Sequence, residues 1–82
     1  MPFPLTPVLT ARAEPPGEFL CLRAAPSPSA PALAGIRRDA TLRVCRRCGG
    51  WFLVQGEGVS GYAPADALTL LYPPGLHFFV QS

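Results

Sequence analysis

The segment from residue 20 to residue 27 reads Leu20-Cys21-Leu22-Arg23-Ala24-Ala25-Pro26-Ser27. Its two leucines alternate with a cysteine and an arginine, which is the period of a half-buried β-strand whose leucines face the core. The strand must end before Pro26, because proline cannot donate a hydrogen bond to the ladder of a central strand. Three prolines and two serines between residues 24 and 31 therefore predict a loop after this strand.

The rest of the chain continues as short β-prone segments separated by turn residues. The predicted strands cover residues 7–13, 19–23, 32–36, 41–46, 51–55, 59–63 and 68–72. Cys48-Gly49-Gly50 and Gly56-Glu57-Gly58 supply hairpin reversals, and residues 64–67, which read Pro-Ala-Asp-Ala, are typical of one 3-10 turn. A Pro-Pro-Gly loop at residues 14–18 separates the first two strands.

The order of these elements resembles that of the bacterial SH3 domain family. Such domains run from a Leu-x-Leu/Val-Arg-x-Gly-Pro-Ser strand, through a Gly-Trp-aromatic step, to a Gly-aromatic step and a final Leu. The matching elements here are residues 20–27, Gly50-Trp51-Phe52, Gly61-Tyr62 and Leu68. The resemblance implies an all-β fold, a small SH3-like barrel of five to six antiparallel strands with a 3-10 turn. Two features depart from the family. Ala25 stands where the family commonly has glycine, and the inserted loop at residues 14–18 is longer than the family usually shows.

We expect three parts along the chain. Residues 1–7 form a proline-rich arm, residues 8–72 form the barrel, and residues 73–82 form a turn and an extra C-terminal strand. Residues 73–76 read Pro-Pro-Gly-Leu and fit a type II turn, so residues 68–72 and 76–81 should form a hairpin. In one interpretation the extra strand covers an open barrel edge. In the other, its Phe78, Phe79 and Val80 form an interaction edge that pairs with another chain or a second copy.

Composition excludes several function classes. The formal net charge is only +2, and the seven arginines are scattered, so nucleic-acid binding is not expected. No segment approaches the roughly 18 consecutive apolar residues of a membrane span. The N-terminus has no basic region before an apolar one, as a secretory signal would have. We therefore expect a cytoplasmic protein, or a cell-envelope one if this chain is a fragment of an exported protein.

No catalytic constellation is evident in the sequence. The single histidine, His77, has no convincing nucleophile or paired acid, and the five acidic residues all fall in predicted turns. There is no Gly-x-Ser-x-Gly elbow, and the chain has no lysine to end a phosphate loop. We predict that the protein is not an enzyme and uses no cofactor.

Cys45 and Cys48 form a C-x-x-C motif. A structural zinc takes four ligands, so Cys21 and His77 would have to complete the set at one hairpin tip. Cys21 is expected in mid-strand, far from that tip, and we predict no metal site. A disulfide between Cys45 and Cys48 is the alternative to free thiols, which a cytoplasmic chain favours.

The resemblance also implies a ligand groove on the outer face of the barrel. It places Phe52 and Val54 in the core, which leaves alternate aromatic and apolar side chains outside. The expected groove walls are residues 24–31 and 45–50. The candidate ligand-groove residues are Trp51, Tyr62, Leu53, Arg23 and Pro26. Phe3 or the phenylalanines of the tail would cover this surface within the chain in the alternative interpretation.

The function implied by the resemblance is non-catalytic recognition of a protein or peptide through this aromatic groove. One alternative is a cell-wall domain that binds the peptides of peptidoglycan. Another is a small structural subunit of a larger assembly, with the apolar tail as its contact. The expected partner is thus a protein or peptide, with neither nucleic acid nor membrane insertion.

Overall fold

The computed structural model describes residues 9–71. Its elements are β1 (Thr10–Ala13), β2 (Phe19–Arg23), β3 (Ala32–Arg37), β4 (Thr41–Cys48), β5 (Trp51–Gly56), β6 (Val59–Pro64), a 3-10 turn (Ala65–Ala67) and β7 (Leu68–Leu71). The predicted all-β fold is confirmed. There are seven strands in these residues, not five to six, because the loops at residues 14–18 and 24–31 separate β1, β2 and β3. The predicted arm and the hairpin with residues 76–81 lie outside the described part.

All seven strands belong to one antiparallel sheet with the order β3-β2-β6-β5-β4-β1-β7. Pairing of β1 with β4 and β7, and of β2 with β6, joins segments distant in sequence. The turn after β3 is tied to the end of β1, since Asp39 N donates to Ala13 O (2.7 Å) and Ala13 N donates to Ala40 O (2.9 Å). These contacts curl the sheet around a single core.

The core consists of the inward-facing residues of each strand. Leu20 and Leu22 are buried as their alternation predicts, and Phe52 and Val54 face inward. Leu42 is also buried, whereas Val44 packs at the core margin. The buried cluster is Ala13, Leu20, Leu22, Ile36, Leu42, Phe52, Val54, Ala63 and Ala67. Burial of a large aliphatic side chain contributes about 1.5–3 kcal/mol, so these few residues carry much of the fold.

Two tight reversals end the long strands where the sequence predicts them. Gly49 has a φ of 61° between β4 and β5. Between β5 and β6, Glu57 (φ 53°) and Gly58 (φ 79°) both lie in the left-handed region. That pair of conformations matches the twist of a β-hairpin. The first reversal sets Trp51 at the start of β5, opposite Cys48.

Candidate functional site

A groove of about 740 Å³ opens on the outer side of β2, beside the 3-10 turn. Five parts of the chain meet there: the loop at residues 14–18, β2, the loop at residues 24–31, the start of β5, and the end of β6 with the 3-10 turn. Its lining residues are Glu14, Pro15, Pro16, Phe19, Leu20, Cys21, Arg23, Pro28, Trp51, Pro64, Asp66 and Ala67. The volume falls in the usual range of about 300–1,000 Å³ for small-ligand sites.

Trp51 is held on one side of the groove by the ends of two strands. It begins β5 directly after the Gly49 reversal and pairs in register with Pro64 at the end of β6. Ala65 N donates a hydrogen bond to Gly50 O (2.8 Å), which fastens the 3-10 turn to the start of β5. The half-buried indole therefore stands next to a proline and to the turn that carries Asp66.

Arg23 holds the loop at residues 24–31, which forms another wall of the groove. Its Nη1 donates to Ala30 O at 2.9 Å, and Ala24 N donates to Pro31 O at 2.9 Å. Both bonds tie the base of the loop at residues 24–31 to β2. Because this loop supplies Pro28 to the groove, the wall is set by hydrogen bonds before any ligand arrives.

Glu14 lies at the edge of the groove formed by the inserted loop. Its Oε1 accepts a hydrogen bond from Thr69 Oγ1 (2.7 Å), and its Oε2 pairs with Arg12 Nε (2.8 Å). The hydrogen bond from Thr69, followed by that from Arg12, lowers the pKa of Glu14. Glu14 is thus a carboxylate whose two oxygens already have partners.

The residues predicted for the groove fall on two adjoining surfaces. Trp51 and Arg23 line the groove, whereas Tyr62 and Leu53 pair with each other on the outer sheet face beside it. Tyr62 OH accepts a hydrogen bond from Arg46 Nη2 (3.1 Å). Pro26 lies in the same loop as Pro28, which is the loop proline that lines the groove. Ligand contact by any of them stays a prediction.

Sequence reasoning missed the contribution of the inserted loop and of the 3-10 turn. Pro15 and Pro16 line the groove because the first turn after β1 packs next to β2. Asp66 reaches it because the 3-10 turn is fastened to Gly50. The signals were present as a departure from the family at residues 14–18 and as an acidic residue inside the Pro-Ala-Asp-Ala turn.

The three cysteines are free and lie apart from one another. Cys21 lies on β2, and two strands lie between β2 and β4. Cys21 is therefore about 14 Å from β4, measured across the strands of the sheet. Cys45, the residue skipped at a register shift of β4, stands three residues from Cys48. That is about 10 Å along an extended strand, beyond the Cα separation that a disulfide spans.

Within residues 9–71, no group of three or more cysteine, histidine or acidic side chains could hold a metal ion. His77 lies outside this range, as do the predicted edge residues Phe78, Phe79 and Val80. Across the same range, the protein has no helix with the length and apolar character that crossing a membrane requires. The large apolar side chains most exposed there are Phe19 and Leu33.

Comparison with protein families matches residues 17–69 to the model of the bacterial SH3 domain. Neither the curated proteins nor the solved structures give a match. The matched range begins in the loop at residues 14–18 and ends in β7, so it takes in β2 to β6, the 3-10 turn and nine of the twelve residues that line the groove. It covers more than half of the chain, and the protein belongs to the bacterial SH3 domain family.

Proposed function

We propose that this protein is a non-catalytic module that binds an extended protein or peptide segment in the groove beside Trp51. The observation that carries the proposal is the groove itself, in which an indole and the rings of four prolines surround one open volume. Family membership supports it, because bacterial SH3 domains are generally binding modules without catalytic activity.

The chemistry of the lining favours an extended, partly apolar segment. Proline rings lose no rotamer freedom when they are covered, and tryptophan provides a large amphipathic surface with few rotatable bonds. Both features lower the entropic cost of binding. A ligand that is already extended, as a polyproline II segment is, lowers that cost further.

The groove is also organised in advance of binding. Arg23 holds one wall through Ala30 O, and the hydrogen bond from Ala65 N to Gly50 O holds the other side. A binding site that needs no reordering retains more of its contact energy as affinity. This arrangement supports recognition of a ligand without a large change in the barrel.

The test compares Trp51→Ala with Gln55→Ala, two substitutions on the same strand and the same sheet face. Binding of an extended peptide, selected from a randomised library on the immobilised protein, is measured by calorimetry. We expect Trp51→Ala to weaken binding by about thirtyfold or more, as truncation of a buried aromatic anchor does. Gln55→Ala, an exposed position that does not line the groove, should stay within about twofold.

Thermal unfolding followed by circular dichroism accompanies both variants, so that a loss of binding is read only from folded protein. Unchanged affinity of a folded Trp51→Ala variant would contradict the proposal. The same pair of variants is tested for sedimentation with purified peptidoglycan, because the family is also associated with cell-wall binding. Loss of sedimentation in Trp51→Ala alone would assign the same groove to peptidoglycan peptides.

A structural subunit is the second candidate, and the two edges of the sheet formed within residues 9–71, β3 and β7, favour it. These strands are the two edges of the described sheet, and an exposed edge can pair with another chain. Light scattering after size exclusion decides this point. A dimer or larger species would support assembly through an edge, whereas a monomer at high concentration would leave only the groove.

A further inference from the structure

The charged side chains are distributed unevenly over the sheet. The strands β2, β6, β5 and β4 lie side by side, and together they carry four arginines and no acidic residue. The five acidic residues of the chain all lie in loops, in turns or in the 3-10 turn. These four strands therefore form a positively charged region of the sheet, although the net charge of the chain is only +2.

A register shift brings two of these arginines to the same face of β4. Arg43 lies opposite Gln55 of β5. Arg46 lies opposite Leu53, and Cys45 is skipped in the pairing. On a regular strand, side chains three residues apart would lie on opposite faces. Because Cys45 is an extra residue in the strand, Arg43 and Arg46 both lie on the outer face. Their partners are two residues apart, so the two arginines are separated by about 6.8 Å along the strand.

The guanidinium of Arg46 is held over the outer face by Tyr62. Its Nη2 donates to Tyr62 OH at 3.1 Å. Since β5 lies between β4 and β6, the Arg46 side chain must cross Leu53, the residue that pairs with both. A guanidinium has five N–H donors, so donors remain for a ligand after the bond to Tyr62 is made.

The two arginines of the outer face are available to an anion. Both are exposed, and the ion pair found among the residues that the structure describes joins Arg12 to Glu14 instead. A guanidinium binds a carboxylate through two parallel N–H···O bonds. In an extended peptide, the side chains that face one way repeat every two residues, which is about 6.8 Å. This repeat matches the separation of Arg43 and Arg46.

We propose that the outer face of β4, β5 and β6 is a second binding surface, which takes an extended acidic peptide segment. Its ligand carries two glutamates or aspartates with one residue between them. Their carboxylates bind Arg43 and Arg46, and their aliphatic stems pack on Leu53. The small net charge of the chain favours a short acidic segment over a nucleic acid. The proposal goes beyond groove binding, because neither arginine lines the groove.

The test titrates the isotope-labelled protein at low salt with two blocked heptapeptides of equal composition, followed by nuclear magnetic resonance. The spaced peptide reads Ser-Thr-Glu-Val-Glu-Thr-Ser, and the permuted peptide reads Ser-Thr-Glu-Glu-Val-Thr-Ser. The variants are Arg43→Gln and Arg46→Gln. The matched control, Arg47→Gln, removes the same charge from the same strand. Arg47 lies on the opposite face, where its guanidinium carbon is 5.5 Å from the centre of the Phe52 ring.

We expect the spaced peptide to bind about fivefold more tightly than the permuted one, since it alone presents both carboxylates to the surface at once. Arg43→Gln and Arg46→Gln should each weaken its binding about threefold, as loss of one exposed ion pair does, while Arg47→Gln stays within about 1.5-fold. The chemical-shift changes should include the backbone amides of Leu53 and Tyr62.

Equal affinities of the two peptides, or no binding of either, would overturn the proposal and leave groove binding standing. Shift changes at the Trp51 indole without changes at Leu53 would place the acidic peptide in the groove and also overturn it. A thymidine trinucleotide, which carries two phosphodiester charges, is titrated alongside. If it bound more tightly than the spaced peptide, the surface would be assigned to nucleic acid and the peptide ligand rejected.

Discussion

Replacing Gly61 by alanine should destabilise the barrel, because no space exists for the added methyl group. An alanine Cβ there would lie 2.9 Å from Leu22 Cβ, 3.2 Å from Arg23 O and 3.4 Å from Leu33 Cδ1. Leu22 is fully buried, and Arg23 O belongs to the backbone. Only the Leu33 methyl group is free to move away, so β2 and β6 must separate.

The expected cost is about 1–3 kcal/mol, the usual penalty for an extra methyl group in a well-packed interior. For a domain of this size, 1 kcal/mol lowers the melting temperature by about 4–8 °C. A cost near 2 kcal/mol therefore predicts a decrease of about 8–16 °C. The effect also reaches the groove, since β2 and β6 pair at Arg23 and Tyr62, directly beside Gly61.

The assay is urea unfolding followed by Trp51 fluorescence and far-ultraviolet circular dichroism, with Gly50→Ala as the matched control. An alanine Cβ at residue 50 meets no atom within 4 Å, and Gly50 is not in the left-handed region. That variant should be as stable as the parent or more stable by up to about 1 kcal/mol, through a reduced entropy of the unfolded chain. Equal stabilities of Gly61→Ala and Gly50→Ala would refute the close packing of β2 on β6.

Three further outcomes follow from the local chemistry. Hydrogen bonds lower the pKa of Glu14, so its carboxylate stabilises the fold above its ordinary pKa of 4.5, and this stabilisation is lost as the pH falls through the lowered pKa. Between about pH 5 and 3, the free energy of unfolding in urea should therefore decrease less in Glu14→Gln than in the parent. Glu57→Gly should raise stability by about 1 kcal/mol in urea unfolding, because glutamate is strained at a φ of 53°, and a lower stability would contradict the turn geometry. Cys45 is exposed and Cys48 is half-buried, so a thiol reagent followed by mass spectrometry should modify Cys45 first, with all three thiols reacting after unfolding.

The strands were predictable because their side chains alternate locally. The alternation of Leu20 and Leu22 identifies β2 and its buried face, and the family resemblance identifies the buried face of β5. The ends of the strands were harder to predict. β4 runs to Cys48 and not to residue 46, because its hairpin with β5 closes at the tight Gly49 reversal. The alternation of side chains along β4 gives no sign of the register shift at Cys45.

The groove was predictable only in part, because it depends on contacts between distant segments. Trp51 and Arg23 could be named from the family pattern, and both line the groove. Side-chain alternation shows which face a residue occupies but not which loop approaches that face. The approach of residues 14–18 follows from the pairing of β1 with β4 and β7, and that of the turn carrying Asp66 follows from its hydrogen bond to Gly50. No local pattern specifies either contact.

The most direct test of groove recognition is a nuclear magnetic resonance titration of the isotope-labelled protein with the selected peptide. Groove recognition predicts that chemical-shift changes concentrate on the Trp51 indole N–H and the backbone amides of Cys21, Arg23 and Asp66. The amide of Gln55, at the far end of β5, should stay unchanged. Changes confined to β3 or β7, with the Trp51 indole unaffected, would contradict it.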